Sequence, residues 1–132
     1  MPTPQRGRIV LVEALDPQGE KPKVRPFVIV TATKEIETGK PFVGVAITST
    51  FRKPPLSDEV QLPARKDGHP QTQLTKEAVA KCSWARAITH EEIVAYKGMV
   101  PPALMEQILK IVERLDKEQE SESSEEPEKP TE

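Results

Sequence analysis

The feature that most restricts the fold is a close succession of short apolar runs, each rich in valine and isoleucine. Residues Arg8–Glu13, Pro26–Thr31 and Pro41–Thr48 are three such runs. They are too short for buried helices, and their β-branched residues favour strands. Gly44, inside the third run, indicates a bulge or a close backbone approach. Further short strands are predicted at Glu59–Leu62, Ala78–Cys82 and Trp84–Ile88.

Helical patterns are confined to the last third of the chain. Thr89 is followed three residues later by Glu92, a capping-box pattern that predicts a short helix over Thr89–Tyr96, ended by Gly98. The pair Pro101–Pro102 suits the first turn of a longer helix. Apolar residues then recur at intervals of three and four, which gives that helix one face to pack on the strands. They are Leu104, Ile108, Leu109, Val112 and Leu115.

The order of these elements favours a mainly β fold. Short strands at close spacing, with helices only near the end, are typical of a small, partly open barrel and not of alternating βαβ units. At 132 residues the chain has the size of one domain. From Lys117 onward it has no aromatic or aliphatic residue, so burial cannot offset the entropy of ordering. We therefore predict a barrel domain over residues 1–116 and a disordered acidic tail over residues 117–132.

Charge is distributed unevenly along the chain. The net charge is −2, but the predicted tail carries seven acidic and two basic residues, so the remainder is +3. An excess of this size permits a polyanionic partner without requiring one. No apolar run approaches the ~20 residues that a membrane span needs, and Met1–Arg8 is polar. The sequence therefore predicts a cytoplasmic protein without membrane contact.

Common enzyme signatures are absent from the sequence. It contains no glycine-rich phosphate loop, no HExxH and no Gly-x-Ser-x-Gly. Cys82 has no second cysteine or nearby histidine, which favours a buried, unreactive thiol and no metal site. His69 lies in a Gly-His-Pro turn and His90 at a predicted helix start, where lone histidines are more often turn or capping residues than an acid–base pair.

Two loop segments carry the chemistry that remains. In the basic segment Gly19–Pro26, proline restricts the residue before it to extended geometry, so Arg25 should be held in place. In the segment Ala46–Thr50, three hydroxyl residues follow the end of a strand and lead to Arg52 and Lys53. Hydroxyls beside basic groups suit phosphate oxygens. If the two segments converge, they could grip a phosphodiester.

At these segments the sequence becomes recognisable. An Arg-Gly-x-Ile-Val-Leu-Val opening at Arg6–Val12, a Lys-x-Arg-Pro at Lys23–Pro26 and an Ile-Thr-Ser at Ile47–Ser49 occur in this order. The chain thereby resembles the MazF/PemK family of toxin endoribonucleases. The likeness spans residues 6 to about 116, through Thr72-x-Leu74, Arg86-Ala87-Ile88 and the Gly98–Leu115 segment.

The resemblance implies a small SH3-like, partly open barrel that forms a homodimer and cuts single-stranded messenger RNA at short sequences, without a metal or other cofactor. It also implies an antitoxin peptide that lies across the RNA groove, and promoter DNA bound only through the antitoxin complex. Arg25 and Thr48 match the two positions that the family assigns to catalysis. Because an arginine pKa above ~12 keeps Arg25 protonated, charge stabilisation or proton donation is expected of it, not base catalysis.

Candidate RNA contacts surround the predicted catalytic pair. Two of them depart from the family pattern: Gly19 stands where relatives often carry a serine, and Trp84 where many carry a base-reading glutamine. Trp84 could stack on an unpaired base, or lie in the core or a dimer interface. Arg65 and Lys66 are secondary candidates. The full set of predicted RNA contacts is Gly19, Glu20, Lys21, Lys23, Ser49, Thr50, Arg52, Lys53, Trp84 and Arg86.

Two alternatives remain open at the level of the sequence. Arg25 could simply pair with Glu13 or Glu20 at the rim of the barrel. The whole chain could also be a catalytically inactive barrel of the same family that binds nucleic acid or a peptide, and Gly19 and Trp84 are compatible with that loss.

Overall fold

Six strands and one long helix make up most of the chain that the computed structural model describes, which is residues 3–15, 22–37, 39–49, 51 and 56–125. Two single 3-10 turns lie at Thr33–Glu35 and His90–Glu92. The strands are β1 (Arg8–Leu15), β2 (Pro22–Ile29), β3 (Phe42–Thr48), β4 (Glu59–Leu62), β5 (Ala78–Ile88) and β6 (Ile93–Met99), and the helix is α1 (Pro102–Glu125).

All strand pairs are antiparallel, and the order across the sheet is β4-β5-β3-β2-β1-β6. Since β4 and β6 are the two edges of this order, the sheet is not closed by backbone pairing. The predicted mainly β fold, a small partly open barrel with a C-terminal helix packed on it, is confirmed.

Apolar side chains fill both sides of the sheet, because successive residues of a strand point to opposite faces. On one side, Ile9, Val45 and Ile47 pack with Met105 and Ile108 of the helix. On the other side lies a second cluster, formed by Val10, Val12, Phe27, Ile29, Phe42, Ala46 and Ile88. The strands β1, β2 and β3 therefore contribute buried side chains to both clusters.

The helix α1 packs on β4 and β5 through the apolar face that the sequence predicted, with Met105 and Ile111 as additions. It continues past the predicted boundary at Asp116 to Glu125, where the sequence indicated no regular structure. Glutamate, glutamine and lysine are good helix formers, and packing on the strands has already met the cost of starting the helix. The division into domain and tail stays a prediction. Within the described residues, no helix is long and apolar enough to cross a membrane.

The predicted helix over Thr89–Tyr96 is wrong. The capping pattern forms, since the Glu92 carboxylate accepts a hydrogen bond from the Thr89 N–H at 3.0 Å. It starts only one 3-10 turn, after which Ile93–Met99 becomes the edge strand β6 and pairs with β1. The β-branched residues there and an available strand edge outweigh the local helix signal. The two strands predicted over 78–88 are one strand, with an irregularity opposite Val45 and Ala46.

Two glycines mark close approaches between segments. A Cβ on Gly44 would lie 2.5 Å from Ile88 Cδ1 and 3.4 Å from the Val28 carbonyl oxygen. A Cβ on Gly98 would overlap the Gln71 carbonyl oxygen. Gly98, expected to end a helix, instead lets β6 touch the segment that connects β4 to β5. The Met99 N–H donates to the Gln71 carbonyl at 2.7 Å and fixes that contact.

Candidate functional site

The register of β2 and β3 brings the two predicted catalytic residues to the same end of the sheet. Phe27 pairs with Ala46 in this antiparallel ladder. Arg25 and Thr48 lie two residues beyond this last pair of the ladder, each on its own strand, and so belong to the same end of the β2–β3 pair. Two constraints act on the backbone of Arg25. The following residue, Pro26, restricts it to extended geometry, and it pairs with Val12 of β1.

Arg25 and Thr48 line one cleft of about 370 Å³. This volume falls within the range of roughly 300–1,000 Å³ in which proteins hold small molecules. The Arg25 side chain is exposed and Thr48 is half-buried, so both can reach a bound group. The other lining residues are Val24, Pro26, Ile47, Ser49, Leu74, Thr75, Lys76 and Ala78.

Apart from Trp84 and Arg86, the remaining predicted RNA contacts divide into four groups. Ser49 is exposed and lines the same cleft as Arg25. Arg65 and Lys66 are exposed but are not among the residues that line it. Lys23 pairs with Ala14 through its backbone, and nothing is described of its side chain. Gly19, Glu20, Lys21, Thr50, Arg52 and Lys53 lie outside the described residues.

Sequence reasoning missed one wall of the cleft. Leu74, Thr75 and Lys76 come from the segment that precedes β5, far in the chain from the lining residues of β2 and β3. The resemblance extended to Leu74 but assigned no contact to Thr75 or Lys76. A hydroxyl next to a basic residue at a strand end is the same signal that singled out the segment after β3. Only the return of the chain to β3 brings this second instance to the cleft.

Trp84 is not a core residue, because 52% of it is exposed. It lies on β5 in the irregular stretch, where the Lys81 ammonium is 5.8 Å from the centre of its ring. Lys81 is itself paired with the carboxylates of Glu59, at 3.2 Å, and Asp58, at 3.4 Å. The exposed ring leaves stacking on a base or burial in an interface as the two predictions for Trp84.

Arg86 is engaged in the fold. Its guanidinium donates to the Glu92 carboxylate at 2.9 Å and to the Ala87 carbonyl at 3.0 Å, and lies over the Phe27 ring at 5.8 Å. Burial opposes ionisation of Glu92, but the Thr89 N–H and Arg86 together hold the pKa of Glu92 below its ordinary value. Arg86 thus secures the turn before β6, and its contact with RNA stays a prediction.

The two histidines and the cysteine, which in other proteins act as acid, base or nucleophile, have structural roles in this fold. His69 Nδ1 accepts hydrogen bonds from the Gln71 and Thr72 N–H groups, and His90 packs edge-to-face on Phe42. Cys82 is 3% exposed in the core, as predicted. In the described ranges, no three His, Cys, Asp or Glu side chains are grouped so that they could hold a metal ion.

Comparison with known proteins gives a family and a set of similar folds. The model of a family described as PemK-like, MazF-like toxins of type II toxin–antitoxin systems matches residues 5–115. Comparison with curated proteins finds no match.

Among solved structures, an endoribonuclease from a mycobacterial species in complex with its cognate antitoxin is 21% identical, with a TM-score of 0.64 over 85% of this chain and 93% of that one. A mycobacterial endoribonuclease is 23% identical, with a TM-score of 0.60 over 86% and 91%. A MazE–MazF complex from Deinococcus radiodurans is 16% identical, with a TM-score of 0.66 over 85% and 94%. At these identities the likeness establishes the fold.

Proposed function

Because the chain belongs to the PemK-like, MazF-like toxins of type II toxin–antitoxin systems, we propose that it is an endoribonuclease that cuts single-stranded RNA at a short sequence. The family match over residues 5–115 confirms the resemblance predicted from the sequence. Similar folds are those of endoribonucleases, one of them bound to its antitoxin. We propose further that the reaction needs no metal ion and that the protein acts in the cytoplasm.

The observation that carries this proposal is the shared cleft of Arg25 and Thr48. As the ribose 2′-hydroxyl attacks the neighbouring phosphorus, negative charge grows on the phosphoryl oxygens. A fixed guanidinium can meet two of these oxygens at once, which a lysine cannot do. The Thr48 hydroxyl supplies a third contact. Both groups therefore act on the transition state more than on the bound substrate.

In the proposed step, a bond forms between the 2′-oxygen and phosphorus, and the bond from phosphorus to the 5′-oxygen breaks. The proton of the 2′-hydroxyl passes to solvent, and the 5′-oxygen takes a proton from Arg25, which solvent restores. The first products are a 2′,3′-cyclic phosphate and a 5′-hydroxyl. An RNA with a 2′-deoxy nucleotide at the cut site should bind but stay intact, since it lacks the attacking group.

The direct test compares Arg25→Ala, Arg25→Lys and Thr48→Val with the unaltered protein on a long unstructured RNA in EDTA. Loss of one transition-state donor costs about 10²–10³ in rate, so Arg25→Ala should cut at least that much more slowly. Arg25→Lys keeps the charge without the paired donors and should recover little of the rate. Lys34→Ala removes a positive charge from an exposed turn and serves as the control.

Equal cleavage by Arg25→Ala and the unaltered protein would refute the assignment of the site. If the unaltered protein binds RNA but cuts none, the chain is the binding module left open by the sequence. If EDTA alone stops cleavage, metal independence is wrong.

We also propose a homodimer that is silenced by an acidic antitoxin peptide, with promoter DNA bound only through that complex. Support comes from the +3 charge of residues 1–116 and from the antitoxin-bound proteins of similar fold. Sedimentation of the chain alone, and then with its antitoxin, would measure both states. A monomer at micromolar concentration would contradict the homodimer.

A further inference from the structure

We propose that Lys76 and Thr75 bind a second RNA phosphate, next to the one that is cleaved, and so fix the register of the strand in the cleft. The proposal deepens the proposed nuclease function and depends on it. It assigns a substrate contact to a segment that the sequence did not single out.

The charges around the cleft favour a chain of phosphates. Among the described residues that line it, the charged ones are Arg25 and Lys76, both exposed. Three hydroxyl residues accompany them, Thr48, Ser49 and Thr75. Glu77 follows Lys76 directly but lines a different cleft, with Leu62 and Leu104. The carboxylate nearest in sequence is therefore not among the lining residues, and the described part of the lining is cationic.

The backbone on both sides of Thr75 and Lys76 is anchored. Before them, the Leu74 carbonyl accepts hydrogen bonds from the Arg65 N–H at 3.0 Å and the His69 N–H at 3.1 Å. The Leu74 side chain also packs against the core. After them, Ala78 is 4% exposed and begins β5. Since the two ends are fixed, little backbone entropy is lost when the pair binds a ligand.

Thr72 makes the segment a rigid unit. It is fully buried, its hydroxyl donates to the Pro63 carbonyl at 2.8 Å, and it accepts from the Leu74 N–H at 3.1 Å. The Thr72 carbonyl in turn accepts from the Gly98 N–H of β6 at 3.3 Å. One hydroxyl thus ties both ends of the segment together, and the sheet edge holds it in place. The wall of the cleft is formed before RNA arrives.

The roles of the two cations follow from their chemistry. Arg25, inside β2, and Thr48, the last residue of β3, line the cleft together and are assigned to the reacting phosphate. Lysine is a single point charge on a flexible stem, which suits a phosphate that keeps its charge throughout the reaction. Such a contact binds substrate and transition state equally, so its loss should raise KM and leave kcat nearly unchanged.

The test measures binding and cleavage separately. Binding is followed with an uncleavable RNA that carries a 2′-deoxy nucleotide at the cut site, between about 50 and 200 mM salt. Each phosphate contact on a single strand adds about 0.7 to the slope of log affinity against log salt. Lys76→Gln should therefore lower the slope by about 0.7 and weaken binding about tenfold at the lower salt.

Matched variants separate this contact from general charge. Lys110→Gln removes the same charge from the exposed side of α1 and should leave the salt slope as it is. Lys76→Arg should keep the salt slope. Thr75→Val should weaken binding and leave the salt slope unchanged. In cleavage assays Lys76→Gln should raise KM by about the factor seen in binding, with kcat retained.

The proposal is overturned if Lys76→Gln and Lys110→Gln have the same slope and affinity as the unaltered protein. It is also overturned if Lys76→Gln lowers kcat and leaves KM alone, because Lys76 would then act on the reaction itself. An unaltered protein that binds RNA without cutting it would refute the nuclease and still allow the salt slope to decide on Lys76. One that binds no RNA would refute both.

Discussion

The surroundings of the Cys82 thiol make this group unreactive in the folded protein. Burial and the negative charge of Asp58 raise the pKa of Cys82 to about 11, and the positive charge of Arg114 opposes them only in part. We expect the folded protein to resist iodoacetamide at pH 8, because the thiolate is the reactive form, and to react once urea unfolds it. Mass spectrometry gives the labelled fraction. Rapid labelling of the native protein would contradict the burial of this side chain.

Thr72 illustrates the opposite case, a polar residue that burial makes indispensable. Replacing it with valine leaves the Leu74 N–H and the Pro63 carbonyl without their partner. We expect Thr72→Val to lower the free energy of unfolding by about 1–3 kcal/mol. Thr72→Ser keeps the hydroxyl and should lose less, which urea denaturation of both variants would measure. Equal losses would mean that packing, not hydrogen bonding, sets the cost.

At the scale of elements, the turn before β6 depends on the charge of Glu92. Its folded pKa is lowered, so its stabilisation is present above the unfolded pKa of about 4.3 and is lost as the pH falls through the lower, folded pKa. We expect Glu92→Gln to cost about 1 kcal/mol at pH 7 and progressively less below pH ~4. Urea unfolding at several pH values tests this. The exposed neighbour Glu91→Gln is the control, and a cost independent of pH would contradict the ion pair.

The same turn shows where local sequence signals mislead. The capping pattern at Thr89 forms, and so does the hydrogen bond that defines it. The conformation of the next residues is decided by the unpaired edge of β1, which a strand can satisfy and a helix cannot. A capping box therefore predicts a helix start locally, while the length of the element depends on what lies beside it.

At the scale of the whole molecule, electrostatic interactions act over the longest distances. Removing residues 117–132 changes the net charge from −2 to +3. We expect a chain ending at Asp116 to bind RNA more tightly at low salt, with the gain fading above ~0.1 M as screening shortens to about 10 Å. Fluorescence anisotropy measures the affinity.

A second variant separates charge from helix length in this experiment. With the seven acidic residues after Asp116 changed to glutamine, the chain keeps its length and should bind as tightly as the truncated one. Unchanged affinity at low salt in both variants would show that the acidic segment does not influence the cleft.

The sequence determined the strand-rich core, the apolar face of α1 and the family. Runs such as Arg8–Glu13 and Pro41–Thr48 are short-range patterns, and their length, apolar character and β-branched residues carry the information locally. Arg25 and Thr48 could be predicted from the sequence for the same reason, because each is marked by its immediate neighbours and by a family motif. The assignment of the pair to catalysis stays a proposal.

The tertiary structure decided what depends on distant segments. It made Ile93–Met99 an edge strand, extended α1 to Glu125, and brought Thr75 and Lys76 to the cleft. The physical reason is common to all three. Pairing at a strand edge, packing that sustains a helix, and convergence of loops on one site each involve residues far apart in the chain, and no local pattern records which of them will meet.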